Sequence, residues 1–168
     1  MLQTIAYNRE AAVAYAHQWA FSRNPRYSDF EDMGGDCTNF ISQCVFAGSG
    51  HMNYTPVTGW FFLTLSNRTP SWSGVEYFNR FMTGNRDGAG PFARRVSIGD
   101  IVPGDVVQLR FAANESFGHS LLVVSVESPD ELGIRIATHT FDSDNRRLST
   151  YHYQEARYLH FEGVRRYV

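Results

Sequence analysis

The residues best suited to nucleophilic chemistry in this sequence are two cysteines, Cys37 and Cys44, and two histidines far downstream, His119 and His139. A sulfur nucleophile needs a base beside it, and the base needs a group that orients it. Cys37 follows Gly34-Gly35-Asp36 and opens a run with helical spacing, in which Phe40, Ile41, Cys44, Val45 and Ala47 recur up to Gly48. A thiol in the first turn of a helix meets the positive end of the dipole and unpaired amide N–H groups. Both favour the thiolate, so a pKa below that of a free thiol is expected. The same amides could hold an oxyanion forming beside the sulfur. Cys44 falls on the apolar stripe and is expected to pack in the core, as free cysteines usually do.

The bases must be delivered by strands. His119 heads Ser120-Leu121-Leu122-Val123-Val124-Ser125-Val126, a β-branched apolar run, and His139 ends a run from Ile134 to Phe141. Pairing of residues 124–127 with Gly133 across the turn at Ser128-Pro129-Asp130 brings the start of one strand and the end of the next to one sheet edge. Both imidazoles then meet there, as a Cys–His–polar triad requires. Asp142, Asp144 and Asn145 lie just beyond and are alternative orienting groups. Asp36 and Asn39 are read as caps of the Cys37 helix, with hydrogen bonding to the site as the other possibility.

Around these sit further elements. Asn8 is placed to cap a helix from about Arg9 to Ser22, with Ala12, Tyr15, Ala16 and Trp19 on its buried stripe and Asn24-Pro25 after it. His17 lies off that stripe and reads as structural or solvated. Ser71 or Ser73 opens a helix through Val75, Phe78, Phe81 and Met82 to Gly84. Residues 59–63 form a short strand or a loop, and residues 85–90 a surface turn. Val106 to Phe111 follows Pro103-Gly104-Asp105 as a strand, and residues 151–168 supply one or two more. Helices first and an antiparallel sheet after is an α+β order.

With 168 residues the chain is long enough to bury a core, and it reads as a single domain over 1–168. Aromatic residues reach 15%, which suits a dense core or a ring-lined groove. A net charge of −2 makes no electrostatic case for nucleic acid or for an anionic membrane, and no apolar run approaches a membrane span. The arginines scatter apart from pairs such as Arg146-Arg147. Cys37 and Cys44 on one helix would lie ~10 Å apart along its axis, too far for a disulfide. The opening residues MLQTIAYNRE do not form a signal peptide. A cytoplasmic protein, or a domain cut from a longer secreted one, is the expectation. The Asp142–Arg146 stretch lacks the glycine and distal Glu of a calcium loop, and Cys37, His119 and His139 lack paired zinc-ligand spacing. No metal or other cofactor is expected.

The runs YNREAAVAYAHQW, GGDCTNFISQC, PGDVVQL, GHSLLVV and ATHTFD, in that order, resemble the family known as the "Putative amidase domain" over roughly Tyr7 to Tyr153. That family is similar in turn to the papain-like NlpC/P60 and CHAP cell-wall peptidases. The resemblance implies a papain-like, NlpC/P60-type α+β fold, with the nucleophile at a helix N-terminus packed on a small antiparallel sheet. It implies Cys37 as nucleophile, His119 as general base and acid, and His139 at the third, polar position, with Asp142 the rival for that role. The expected activity is cysteine-dependent amide hydrolysis by a monomer, on a peptide or peptidoglycan-stem amide. An inactive papain-like domain that binds a peptide or glycan, and an acyltransferase using the same residues, are the alternatives.

Overall fold

The most apolar stretch of the chain lies mid-sheet, and the rest of the fold is laid against its two faces. A computed structural model describes residues 1–168 as an α+β arrangement. The strands are β1 (Leu2–Ile5), β2 (Phe62–Thr64), β3 (Asn67–Arg68), β4 (Gly90–Val96), β5 (Val106–Arg110), β6 (His119–Val126), β7 (Ile134–Thr138), β8 (Ser143–Arg147) and β9 (Glu155–Tyr167). Seven of them form one antiparallel sheet in the order β1-β9-β5-β6-β7-β8, with β4 also paired to β9, and β2 and β3 form a separate ribbon. The helices are α1 (Arg9–Trp19), α2 (Cys37–Ser49), α3 (Pro70–Ser73) and α4 (Val75–Gly84).

Several boundaries differ from the sequence reading for identifiable reasons. Helix α1 stops at Trp19 rather than near Ser22, and the Trp19 carbonyl accepts a hydrogen bond from a histidine ring instead of continuing the helix. Helix α2 runs through Gly48 to end at Gly50, whose φ of 67° supplies the left-handed stop. Gly48 is needed for a close approach, because a Cβ there would come within 2.5 Å of the Tyr7 ring. The single helix expected from residue 71 or 73 to 84 is broken at Gly74, which is extended. Strands β1, β4 and β8 carry no regular apolar alternation and were not expected. β4 contains Pro91, tolerable because β4 pairs only with β9 and remains an edge.

Period-two alternation sorts the central strands onto two cores. Leu122, Val124 and Ala137 face α1, α2 and α4 in the larger core with Phe40, Trp60 and Trp72. Leu121, Val123, Ile134 and Ile136 face the other way, under Ile101 and Leu148. The β6–β7 register pairs Leu122 with Ala137 and Val123 with Ile136, and the expected turn contact from Glu127 N–H to the Gly133 carbonyl is present. Helix and sheet are further tied by the Pro-Gly-Asp turn. Buried Asp105 accepts hydrogen bonds from Arg9 at 2.6 Å and from the Val102 and Phe161 amides at 3.0 Å each.

Candidate functional site

Gly34 and Gly35 adopt φ of 101° and 107°, which turns the chain sharply into α2. Asp36 does not cap that helix: it makes no side-chain cap hydrogen bond. Cys37 is the first helical residue and is buried. Its sulfur lies 3.8 Å from the Thr38 hydroxyl and close enough to the backbone amides of Ser120 and Thr38 for them to lower its pKa. The Phe40 amide is the first of the helix to bond backward, to the Asp36 carbonyl at 3.0 Å, which leaves the Cys37 amide without a backbone partner. Burial pushes the Cys37 thiol above its ordinary pKa, and the nearby Asp36 carboxylate adds to this, against the lowering effect of the amides and the hydroxyl. The expected depression of the thiol pKa is therefore reversed, because desolvation of a thiolate outweighs the helix terminus here.

His119 opens β6, one residue before Ser120, whose amide and hydroxyl face the start of α2. A buried polar ladder sets the relative position of the two elements. Thr38 Oγ1 and Ser120 Oγ are 2.9 Å apart, Gln108 Nε2 donates to Ser120 Oγ at 3.1 Å, and Arg157 Nε donates to Gln108 Oε1 at 2.8 Å. The His119 ring itself makes no hydrogen bond, either to Cys37 or to any polar group. It sits between the rings of Phe111 and Tyr151, at centroid distances of 6.4 and 5.8 Å. Burial, helped by the Arg146 charge, brings its pKa down from 6.5 to about 4. At neutral pH the site therefore holds a thiol and a neutral imidazole.

His139 is placed differently from the expectation. It does reach the same sheet edge as His119, but continuation of the register puts it opposite Ser120 rather than His119. One residue of offset sends the two imidazoles to opposite faces of the sheet. His139 stacks on Phe40 of α2 at 3.9 Å, with Nδ1 2.5 Å from Asp36 Oδ2 and Nε2 2.8 Å from the Trp19 carbonyl oxygen. Both ring nitrogens are thus engaged, one by a carboxylate and the other by a backbone carbonyl. The remaining candidates join this second cluster. Asp36 Oδ1 accepts from the Phe30 amide and from Asn39 Nδ2, each at 2.8 Å. Asn39 Oδ1 accepts from Trp72 Nε1 at 2.9 Å. Asp142 forms a two-pronged pair with Arg23, at 2.8 and 3.1 Å, and does not orient either histidine. Asp144 pairs with His17 at 2.8 Å. Cys44 is wholly buried in the larger core, as expected.

A cavity of about 520 Å³ opens on the His119 side, lined by Phe111, His119, Thr140, Phe141, Arg146 and Tyr151 together with Gly118. The sequence reading missed the part played by Thr140, Phe141, Arg146 and Tyr151. Thr140 and Phe141 form the tip of the β7–β8 hairpin with φ of 62° and 59°. Two successive left-handed residues suit a tight hairpin, where Asn-Gly is the usual choice. A β-branched Thr and a Phe give no such signal, and they hold the conformation at a cost of about 1–3 kcal/mol each. Thr140 Oγ1 is tied to the approach to Cys37, accepting from the Asp36 amide at 3.2 Å. The Tyr151 hydroxyl is buried without a well-aligned hydrogen bond; burial raises its pKa and the nearby Cys37 sulfur adds to this, against the Arg146 charge and the Ser143 and Arg146 side chains close to the hydroxyl. A larger cavity of about 580 Å³, lined by Phe46, His51, Tyr54 and Arg165 among others, contains neither Cys37 nor His119. No group of three or more His, Cys, Asp or Glu side chains is arranged to hold a metal ion.

Residues 6–161 match the family described as "Putative amidase domain", a span that includes both clusters and the cavity. The chain belongs to that family. The description speaks of amide hydrolysis and names no nucleophile. This amidase-domain chain is also similar to the uncharacterized protein YhbB of Bacillus subtilis (strain 168), at 36% identity over 122 residues. The aligned part is 71% of this chain and 37% of YhbB, so the chain spans well under half of that protein. No solved structure matches it.

Proposed function

We propose that this amidase-domain chain is a cysteine-dependent amide hydrolase of papain-like type, with Cys37 as nucleophile and His119 as general base and acid. The observation that carries the reading is the junction of α2 and β6. A thiol on the first helical turn lies close to the amide of the residue that follows a free imidazole. With thiol and imidazole both neutral, the first step is a proton transfer from Sγ to His119 as the sulfur adds to the amide carbonyl. The negative charge that forms on the carbonyl oxygen meets the unengaged Cys37 amide at the positive end of α2. The imidazolium then protonates the leaving amine, and water, activated by the neutral ring, releases the acyl group. Burial makes the imidazolium costly in the resting site, but the thiolate formed beside it offsets that cost. His119 must turn its ring toward Sγ, a motion that breaks no hydrogen bond. Peptide and peptidoglycan-stem amides are the substrate classes to try, on the strength of the family resemblance.

The raised thiol pKa and the absence of an Sγ–imidazole hydrogen bond favour a second reading, a domain that binds such ligands without cleaving them. One experiment separates the two. The protein is treated with iodoacetamide and peptide-mapped, and in parallel a panel of peptides and muropeptides is followed by mass spectrometry. Labelling of Cys37 well ahead of Cys44, with a loss of at least ~10³-fold in hydrolysis on Cys37→Ala, is the expected result. Equal, slow labelling of both thiols, or hydrolysis that survives Cys37→Ala, would overturn the cysteine mechanism.

A further inference from the structure

The cavity beside His119 contains a cation that nothing in the protein neutralises. Arg146 forms no ion pair, whereas Arg23, at the other cluster, lies within 4.0 Å of Asp29, Glu31, Asp36 and Asp142. Arg146 is nonetheless held in place. Its guanidinium lies 3.8 Å from the Tyr151 ring centroid, Nε donates to Thr150 Oγ1 at 2.6 Å, and Nη2 reaches the Thr150 carbonyl at 3.4 Å. Those contacts leave Nη1 without a partner. A guanidinium fixed by stacking and by one edge loses little freedom when it binds, and its natural counterpart is a planar carboxylate.

The surroundings narrow the ligand further. Phe111, Tyr151 and the exposed Phe141 supply ring surfaces around the charge. Phe141 is held there by a left-handed backbone that a phenylalanine adopts only at a cost. Residual strain of this kind collects where a side chain must be presented to a ligand. The buried Tyr151 hydroxyl lies near the Ser143 and Arg146 side chains but forms no well-aligned hydrogen bond with either, and it can donate to an incoming acceptor. In the mechanism above, His119 protonates the leaving amine, so this cavity lies on the amine side of the scissile bond.

We propose that Arg146 determines specificity by receiving a carboxylate on the amine-side portion of the substrate. The substrate class is then an amide whose released amine carries a carboxylate next to an apolar or aromatic group. This rests on the cysteine-hydrolase reading, and the test keeps the two apart. Alkylation of Cys37 by iodoacetamide alone reports on the nucleophile. Protection against that alkylation by phenylacetate and by its neutral counterpart, phenylacetamide, reports on Arg146.

Phenylacetate is expected to half-protect at a concentration about two- to fivefold below phenylacetamide, the size of one partly exposed ion pair. Arg146→Gln abolishes that difference and Arg146→Lys retains part of it, while both variants are still alkylated in the absence of ligand. Equal protection by the two compounds, a preference that survives Arg146→Gln, or no protection by either overturns the carboxylate assignment and leaves the nucleophile intact. A wild-type Cys37 that iodoacetamide does not reach brings down both. A merely structural Arg146 would alter both half-protecting concentrations together and leave their ratio unchanged.

Discussion

The two imidazoles at the edge of the sheet occupy opposite kinds of environment. His139 has both ring nitrogens engaged, a phenyl ring stacked on it, and a carboxylate partner that is itself bonded to two further groups. His119, at the head of the neighbouring strand, has neither nitrogen engaged and looks into a cavity. A ring with every bond satisfied joins elements together: here the end of α1, the approach to α2 and the β7–β8 hairpin. A ring with every bond free can exchange a proton with a visitor. Both histidines were candidates for the same triad, and the structure places them in these two different settings. The arginines repeat the contrast, with Arg23 surrounded by carboxylates and Arg146 facing none.

His139→Ala tests the difference between the two imidazoles most severely. It leaves the buried Asp36 carboxylate short of its closest partner, and removal of one side of a buried pair costs about 3 kcal/mol or more. Urea denaturation is expected to show that loss, while the folded fraction keeps the pH profile of Cys37 alkylation. A stable variant with an altered alkylation profile would instead make His139 part of the chemistry.

The second test uses pH. His119 titrates near 6.5 when unfolded and at about 4 when folded. Between those values the unfolded chain binds the extra proton, so stability falls as pH drops through the window and is unaffected above it. The loss amounts to roughly 3 kcal/mol by the lower end. Melting temperatures of wild type and His119→Gln should diverge at pH 7 to 4 in that sense, with the variant flatter. Parallel curves would mean that His119 is not buried in a neutral form.

The smallest effect concerns the hairpin tip. Phe141→Gly relieves one left-handed non-glycine residue and is expected to stabilise the protein by about 1 kcal/mol, while weakening substrate binding as a higher KM. Lower stability with unchanged KM would show that Phe141 serves the fold rather than the cavity.

Much of this was legible from residue order. The cysteine at a helix start, the apolar strand behind His119 and the Ser-Pro-Asp turn are each local signals, and each lies where it was read. The error over His139 came from a quantity that local patterns do not carry. Placing two residues at one sheet edge fixes their level, but their face depends on register to a single residue. The thiol pKa was misjudged for a related reason, since a helix terminus can be read from sequence and the depth at which it is buried cannot. The cavity was least legible. Arg146 and Tyr151 lie on a strand and a turn without apolar alternation, and the Thr140-Phe141 tip lacks the residues that normally announce such a turn.

Strand β9 pairs with β1, β4 and β5, and neither β1 nor β4 has any other partner in the sheet. It also follows every other element in the chain. Two segments made earlier, β1 and β4, one of them at the opposite end of the chain, must therefore wait for residues 155–167 before they have a neighbour. The β5–β8 strands pair locally, but completing the sheet through β9 has to close long loops before its pairing rewards them, and folding on the scale of milliseconds to seconds follows. Refolding of this protein is expected to be governed by the arrival of that strand, with α1 and α2 able to associate well before the sheet is whole.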